Sequence, residues 1–221
     1  TKWNSLQKQA TAGGQHGDKY HSSMLRLKDA GVRAGIQAET GEMLSELSEE
    51  LDSWYLIRKL RAASGMLRYK KRYRKSLSNG LLDPIVITAK IMGLLKPVEI
   101  AIHFHAYQCL NEPDDLDHFA NLKEALRDAD GIIGLDEMRE VLEIAIEYCA
   151  EKVDNGRDQF KYEAFKFYAR GVENGAWLDN GLYSPERVSQ ILHFALEVEE
   201  PAWASEFLEN IQDKISGSAA R

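Results

Sequence analysis

The chain has only two cysteines in 221 residues, Cys109 and Cys149. Their separation excludes the short Cys-x-x-Cys spacing of metal and redox sites, and both lie among apolar residues. Buried free thiols in a reducing compartment are therefore expected. No run of eighteen apolar residues occurs, which excludes a membrane-spanning helix. The first thirty residues carry no apolar signal core. A chain that opens on Thr leaves room for an upstream segment, so the missing leader carries little weight. Net positive charge is lacking too. The 28 Lys and Arg against 35 Asp and Glu give −7, which argues against generic attraction to anionic membranes or nucleic acid. There is no Gly-x-Ser-x-Gly elbow. The glycine-rich opening Gly13-Gly14-Gln15-His16-Gly17 has no Lys-Ser/Thr after it and no strand before it, so it is not a phosphate loop.

What the chain does have is helical periodicity, with 44% hydrophobic residues to build a core. Tyr20 to Lys28 patterns as one short helix. From Glu42 the residues Met43, Leu44, Leu47, Leu51, Trp54, Tyr55, Ile57 and Leu60 recur at three- and four-residue steps, predicting a strong amphipathic helix to Tyr69 or beyond. Ser76–Gly80 breaks it. Asp83-Pro84 starts a second helix through Leu94, and Pro97 opens a third through Leu110. A stop at Asn111–Asp114 precedes a helix through Leu116, Phe119, Leu122 and Leu126. Leu135–Val153 follows, then Phe160–Val172. Ser184-Pro185-Glu186 is the cleanest start signal, a hydroxyl cap followed by proline at the first helical position. Pro201 opens the last helix, through Ile211.

These segments predict an all-α fold of antiparallel helix pairs stacked as a short right-handed alpha-solenoid, with a compact helical bundle as the alternative. Residues 1–40 form a weakly patterned N-terminal segment. Residues 41–216 form a helical-repeat domain of pairs at about 42–95, 97–130, 134–174 and 184–215, and 217–221 a flexible tail. Charge is divided along the chain: residues 1–80 hold 15 Lys/Arg against 8 Asp/Glu, and residues 81–221 hold 13 against 27.

The run Leu51-Asp52-Ser53-Trp54-Tyr55-Leu56-Ile57-Arg58-Lys59-Leu60-Arg61, the stretch Leu110–Asp115 leading into His118-Phe119, and Gly181-Leu182-Tyr183-Ser184-Pro185 resemble a group of uncharacterised bacterial proteins with tetratricopeptide-like helical repeats. The resemblance covers residues 45–215 in patches. It implies a right-handed superhelix of helix pairs and a protein-interaction role. The 34-residue signature of a true tetratricopeptide is absent, and the resemblance supplies no catalytic residue.

Two surfaces stand out as partner contacts. Arg68, Lys70, Lys71, Arg72, Arg74 and Lys75 form a basic patch at a helix end, interleaved with Tyr69 and Tyr73. The charge there complements a helix C-terminus. It also suits an acidic protein partner or the acidic half of a second copy, and single-stranded nucleic acid less well. Tyr162, Phe165 and Tyr168 form an aromatic contact patch with Lys161 and Lys166 beside it, since Phe165, Phe167 and Tyr168 cannot all share one face.

Catalytic groups are not legible. His103 and His105 face different directions on a helix, Glu99 stands one turn from His103, and His118 lies at an undefined distance. No third ligand stands at a convincing spacing, so no metal ligand set and no cofactor are expected. Asp114, Asp115 and Asp117 sit where a helix start favours carboxylates. Glu197, Glu199 and Glu200 cross a turn, and Asp128 and Asp130 lack the rest of a calcium loop. The reading is a cytoplasmic, non-enzymatic interaction or scaffold module with an unidentified protein partner or self-association. The alternative is a helical hydrolase with an acidic cleft.

Overall fold

A computed structural model describes residues 22, 25, 26, 29, 30, 40–75, 77 and 80–215. Eight α-helices run through residues 40–215: α1 (Thr40–Tyr73), α2 (Leu82–Met92), α3 (Val98–Asn111), α4 (Leu116–Asp128), α5 (Leu135–Asp154), α6 (Gln159–Glu173), α7 (Pro185–Glu197) and α8 (Pro201–Ile211). A 3-10 turn, Gln212–Lys214, follows. Ser22, Leu25 and Arg26 are helical, within the short helix expected over Tyr20–Lys28. The glycine-rich opening and the expected tail 217–221 lie outside the described residues, as does most of the segment 1–40.

The chain divides into two compact units, one running to Glu137 and the other from Met138. In the first, α1 is the spine. Its 34 residues span about 50 Å at ~1.5 Å per residue. Leu56, Ile57, Leu60 and Ala63 recur at helical spacing and are buried. They meet Leu82 and Ala89 of α2 and Ile100, Phe104 and Tyr107 of α3 in one core cluster.

This packing corrects the expected solenoid. The class is all-α, but α1 packs chiefly against α3 and only lightly against its sequence neighbour α2. The 11-residue α2 meets only part of the 34-residue α1; Ile100, Phe104 and Tyr107 of α3 join the cluster around Leu56, Ile57 and Leu60, while Leu44, Leu51 and Tyr55 stay exposed. The result is a packed bundle and not a regular tetratricopeptide-like array, in which each pair would lie against the next in order. The helical-repeat character expected of residues 41–216 fails with it.

Local chemistry sets the ends. Gly93 closes α2 in the left-handed region (φ 71°), where a Cβ would be strained, and its N–H donates to the Lys90 carbonyl at 3.2 Å. Asp115 caps α4, its carboxylate accepting from the Asp117 N–H. Ser184 caps α7 by accepting from the Arg187 N–H, with Pro185 opening the helix as its sequence predicts.

In the second unit α7 packs against both α6 and α8. Phe165, Ala195 and Ala204 are buried together, with Trp203 and Leu192 against them. The loop after α6 is pinned by Arg139, which donates to the carbonyls of Ala176 and Leu178, each at 2.6 Å. Trp177 lies buried against Gly171. Its indole N–H donates to the Tyr168 carbonyl at 2.8 Å. The Arg187 guanidinium covers the ring at 4.3 Å and reaches Glu143 at 2.8 Å.

Candidate metal centre

Four residues separate α3 from α4, and this short connection builds the most chemically distinctive site of the first unit. Glu112 follows the last residue of α3, Asp115 is the N-cap of α4, and His118 lies in its first turn. One ligand atom from each lies within 4.8 Å of the other two. Glu112 and Asp115 are exposed and His118 is half-buried, so the carboxylates stay solvated while the imidazole is anchored.

Neighbours on α3 hold these groups in place. Gln108 is buried at 4% exposure. Its Nε2 lies 3.1 Å from Glu112 Oε1 and 3.3 Å from His118 Nε2. Asn111 Nδ2 donates to the same Glu112 oxygen at 3.4 Å. Asp115 divides its carboxylate: Oδ1 caps the Asp117 N–H at 3.0 Å, and Oδ2 lies 3.7 Å from His118 Nε2. The other ring nitrogen of His118, Nδ1, lies 3.3 Å from Nδ1 of His105. Phe104 meets both imidazoles edge-on.

Burial lowers the pKa of His105 to about 4, with the nearby charges of His118 and Lys90 adding to the effect. The Tyr107 phenol is pushed up, first by burial and then by the carboxylates of Asp83 and Glu112. His105 is thus neutral at pH 7, able to accept a hydrogen bond, and Tyr107 stays protonated.

The two histidines singled out on α3 do face apart. His103 points into the core, its Nε2 3.7 Å from Glu137 Oε1, and that nitrogen makes no hydrogen bond among the described residues. Arg61 of α1 shares Glu137 Oε1 at 3.3 Å, and the Gly134 N–H donates to Oε2 at 3.3 Å. His105 faces the α3–α4 connection.

The other sequence-predicted contacts lie elsewhere. Lys70, Lys71 and Arg72 occupy the last turn of α1, with Arg74 and Lys75 just beyond it; all five are exposed and Arg68 is half-buried. Tyr69 and Tyr73 are exposed and lie ring against ring at 4.6 Å. Of the aromatic patch, Tyr162 is exposed, with the Lys166 ammonium 5.4 Å from its ring. Phe165 and Tyr168 are buried, the first against Trp203 and the second against Trp177 and Phe194. Cys109 and Cys149 are buried and form no disulfide among the described residues. Among the described residues no helix is long and apolar enough to cross a membrane.

The Glu112, Asp115 and His118 cluster corrects the reading of the chain as a non-enzymatic interaction or scaffold module. Two carboxylates and an imidazole converging on one point form a donor set that can bind a cation or substrate, and a passive scaffold has no need of it. The expectation that the chain is not an enzyme loses its basis for the same reason. Sequence reasoning missed the set because it read Asp115 only as a helix-start carboxylate. The signal present was the Glu-x-x-Asp-x-x-His spacing across a helix stop. No family model, no curated protein and no solved structure matches the chain.

Proposed function

We propose that the chain is a metal-dependent hydrolase whose divalent ion is held by Glu112, Asp115 and His118. The observation that carries this reading is the convergence of the three ligand atoms within 4.8 Å. One imidazole nitrogen and two carboxylates suit Zn²⁺ or Mn²⁺, and two negative charges balance a dication. Three protein ligands leave positions open for water and substrate. Such an ion lowers the pKa of bound water toward neutrality and polarises a carbonyl or phosphoryl oxygen. The protein's own part is to hold the ligands. Asp115 and His118 come from the first turn of one helix, and Glu112 is tied through Gln108 to the last turn of another.

Calorimetric titration of the full chain with Zn²⁺ and with Mn²⁺ tests the binding step. Saturable 1:1 binding is expected, weakened at least tenfold in Glu112→Gln, Asp115→Asn and His118→Ala. Turnover of simple aryl ester and aryl phosphate substrates, stopped by chelation and restored by the same ion, tests the chemistry. Absence of saturable binding, or binding indifferent to all three substitutions, would sink the proposal.

A further inference from the structure

Resting on the metal-site reading above, we propose that His105 is a positioning residue: it holds His118 in the tautomer whose Nε2 lone pair faces Glu112 and Asp115. The argument starts from Glu112. An ionised carboxylate only accepts hydrogen bonds, so the Gln108 amide must turn its nitrogen toward Glu112 Oε1, at 3.1 Å. That nitrogen carries two hydrogens. Its second neighbour is His118 Nε2 at 3.3 Å. An amide nitrogen cannot accept, so His118 Nε2 accepts and bears no hydrogen.

An imidazole that accepts at Nε2 carries its proton on Nδ1. Its neighbour at 3.3 Å is Nδ1 of His105, which accepts in turn, leaving the His105 hydrogen on Nε2. One donor direction runs through the chain, from Gln108 to His118 to His105. Only this tautomer presents a ligand lone pair at Nε2, the ring nitrogen 3.7 Å from Asp115 Oδ2. A cation placed between these two electron-rich groups would be held by both. Ion binding replaces the Gln108 contact at Nε2 and leaves the His105 contact at Nδ1 in place. Loss of the partner on the far nitrogen of a ligating histidine costs ~10–100-fold in metal affinity.

Long-range proton–nitrogen NMR correlation on the uniformly labelled full chain, without added metal at pH 7.5, reads the tautomer directly. His118 is expected with its hydrogen on Nδ1. In His105→Phe the Nε2–H form should gain population and Zn²⁺ affinity should fall 10–100-fold. His105→Asn puts an amide oxygen near the lost Nδ1 and should restore both. A wild-type His118 carrying its hydrogen on Nε2 overturns the role of His105. So does a His105→Phe protein that binds Zn²⁺ as tightly as the wild type, or an Asn variant no better than the Phe one. The Nδ1–H tautomer in a wild type that binds no Zn²⁺ overturns the metal-site reading and, with it, any ligand-positioning role. The wild-type spectrum needs no variant, so a His105→Phe chain that fails to fold leaves the test intact.

Discussion

Two Gly→Ala substitutions in helices should move stability in opposite directions. Gly65 lies inside α1 and a Cβ there meets nothing within 4 Å. Gly65→Ala should therefore realise the intrinsic preference of a helix for alanine, about 1 kcal/mol. Gly171 lies near the end of α6, where a Cβ would overlap the Trp177 indole at three ring atoms. The indole is 97% buried, with 3% exposure, and cannot move without losing packing. Displacing it within the core costs about 1–3 kcal/mol, and parting its buried indole N–H from the Tyr168 carbonyl costs about 1–3 kcal/mol more. Full expulsion of an aromatic of roughly 150–250 Å² at ~25 cal/mol per Å² costs about 4–6 kcal/mol. Set against the ~1 kcal/mol helix gain, Gly171→Ala should lose about 1–5 kcal/mol in all. Urea unfolding followed by far-UV circular dichroism measures both. A Gly171→Ala chain as stable as the wild type, or a Gly65→Ala chain destabilised as much, refutes the reasoning.

Three further outcomes follow from the first unit. Glu137→Leu removes the acceptor shared by Arg61 and the Gly134 N–H, and the carboxylate 3.7 Å from His103 Nε2. Since Arg61 keeps 21% of its side chain exposed, the loss should fall at about 3 kcal/mol, the low end for breaking a buried pair, in urea melts. His105 has a folded-state pKa of about 4 against ~6.5 in the unfolded chain. Between those values the unfolded chain takes up a proton that the folded chain refuses. Its contribution is thus present above pH ~6.5, lost as the pH falls toward 4, and constant below that. His105→Gln should flatten the fall between pH 6.5 and 4 in thermal melts. At Asp115 the two roles separate: Asp115→Asn keeps a capping oxygen and should leave the melting temperature unchanged while weakening metal binding. Asp115→Ala should lose ~1 kcal/mol of stability as well.

Helix placement was largely legible because its signals are local. Ser184-Pro185 opens α7 where a hydroxyl cap and a first-turn proline say it should, and the periodic stripe ending near Tyr69 belongs to α1. Pairing was not legible. Periodicity puts Ile57 and Leu60 on one stripe, and does not say that Leu56 joins them while Leu44, Leu51 and Tyr55 stay exposed, or that Ile100, Phe104 and Tyr107 cover them. The solenoid failed at that step, since the partner of a stripe is decided by packing between segments some forty residues apart, such as Leu60 and Ile100. The candidate site was half legible. His103 and His105 diverge as helical geometry demands, but the contact between His105 and His118 spans a helix stop whose turn geometry no spacing rule supplies. Glu112 and Asp115 likewise meet His118 only because the chain reverses between them.

That reversal ties the chemistry to the fold. The N-cap of α4 requires an oxygen acceptor in extended backbone, and Asp115 meets this need with one oxygen, at φ −80° and ψ 102°. The cap bond fixes the carboxylate plane, which leaves the second oxygen directed along the first turn toward His118, three residues on. Glu112 is held by a separate means, through the buried amide of Gln108 one turn back on α3. Each ligand is thus oriented by a bond that the helix ends require anyway or by a side chain already locked in packing. Such a site is organised before any ion arrives, and its ordering entropy is met by folding and not by binding. The opposite face of α3 shows the contrast. There His103 and Glu137 are buried beside a half-buried Arg61, so the same residue types serve packing on one side of the helix and, in the proposed reading, ion binding on the other.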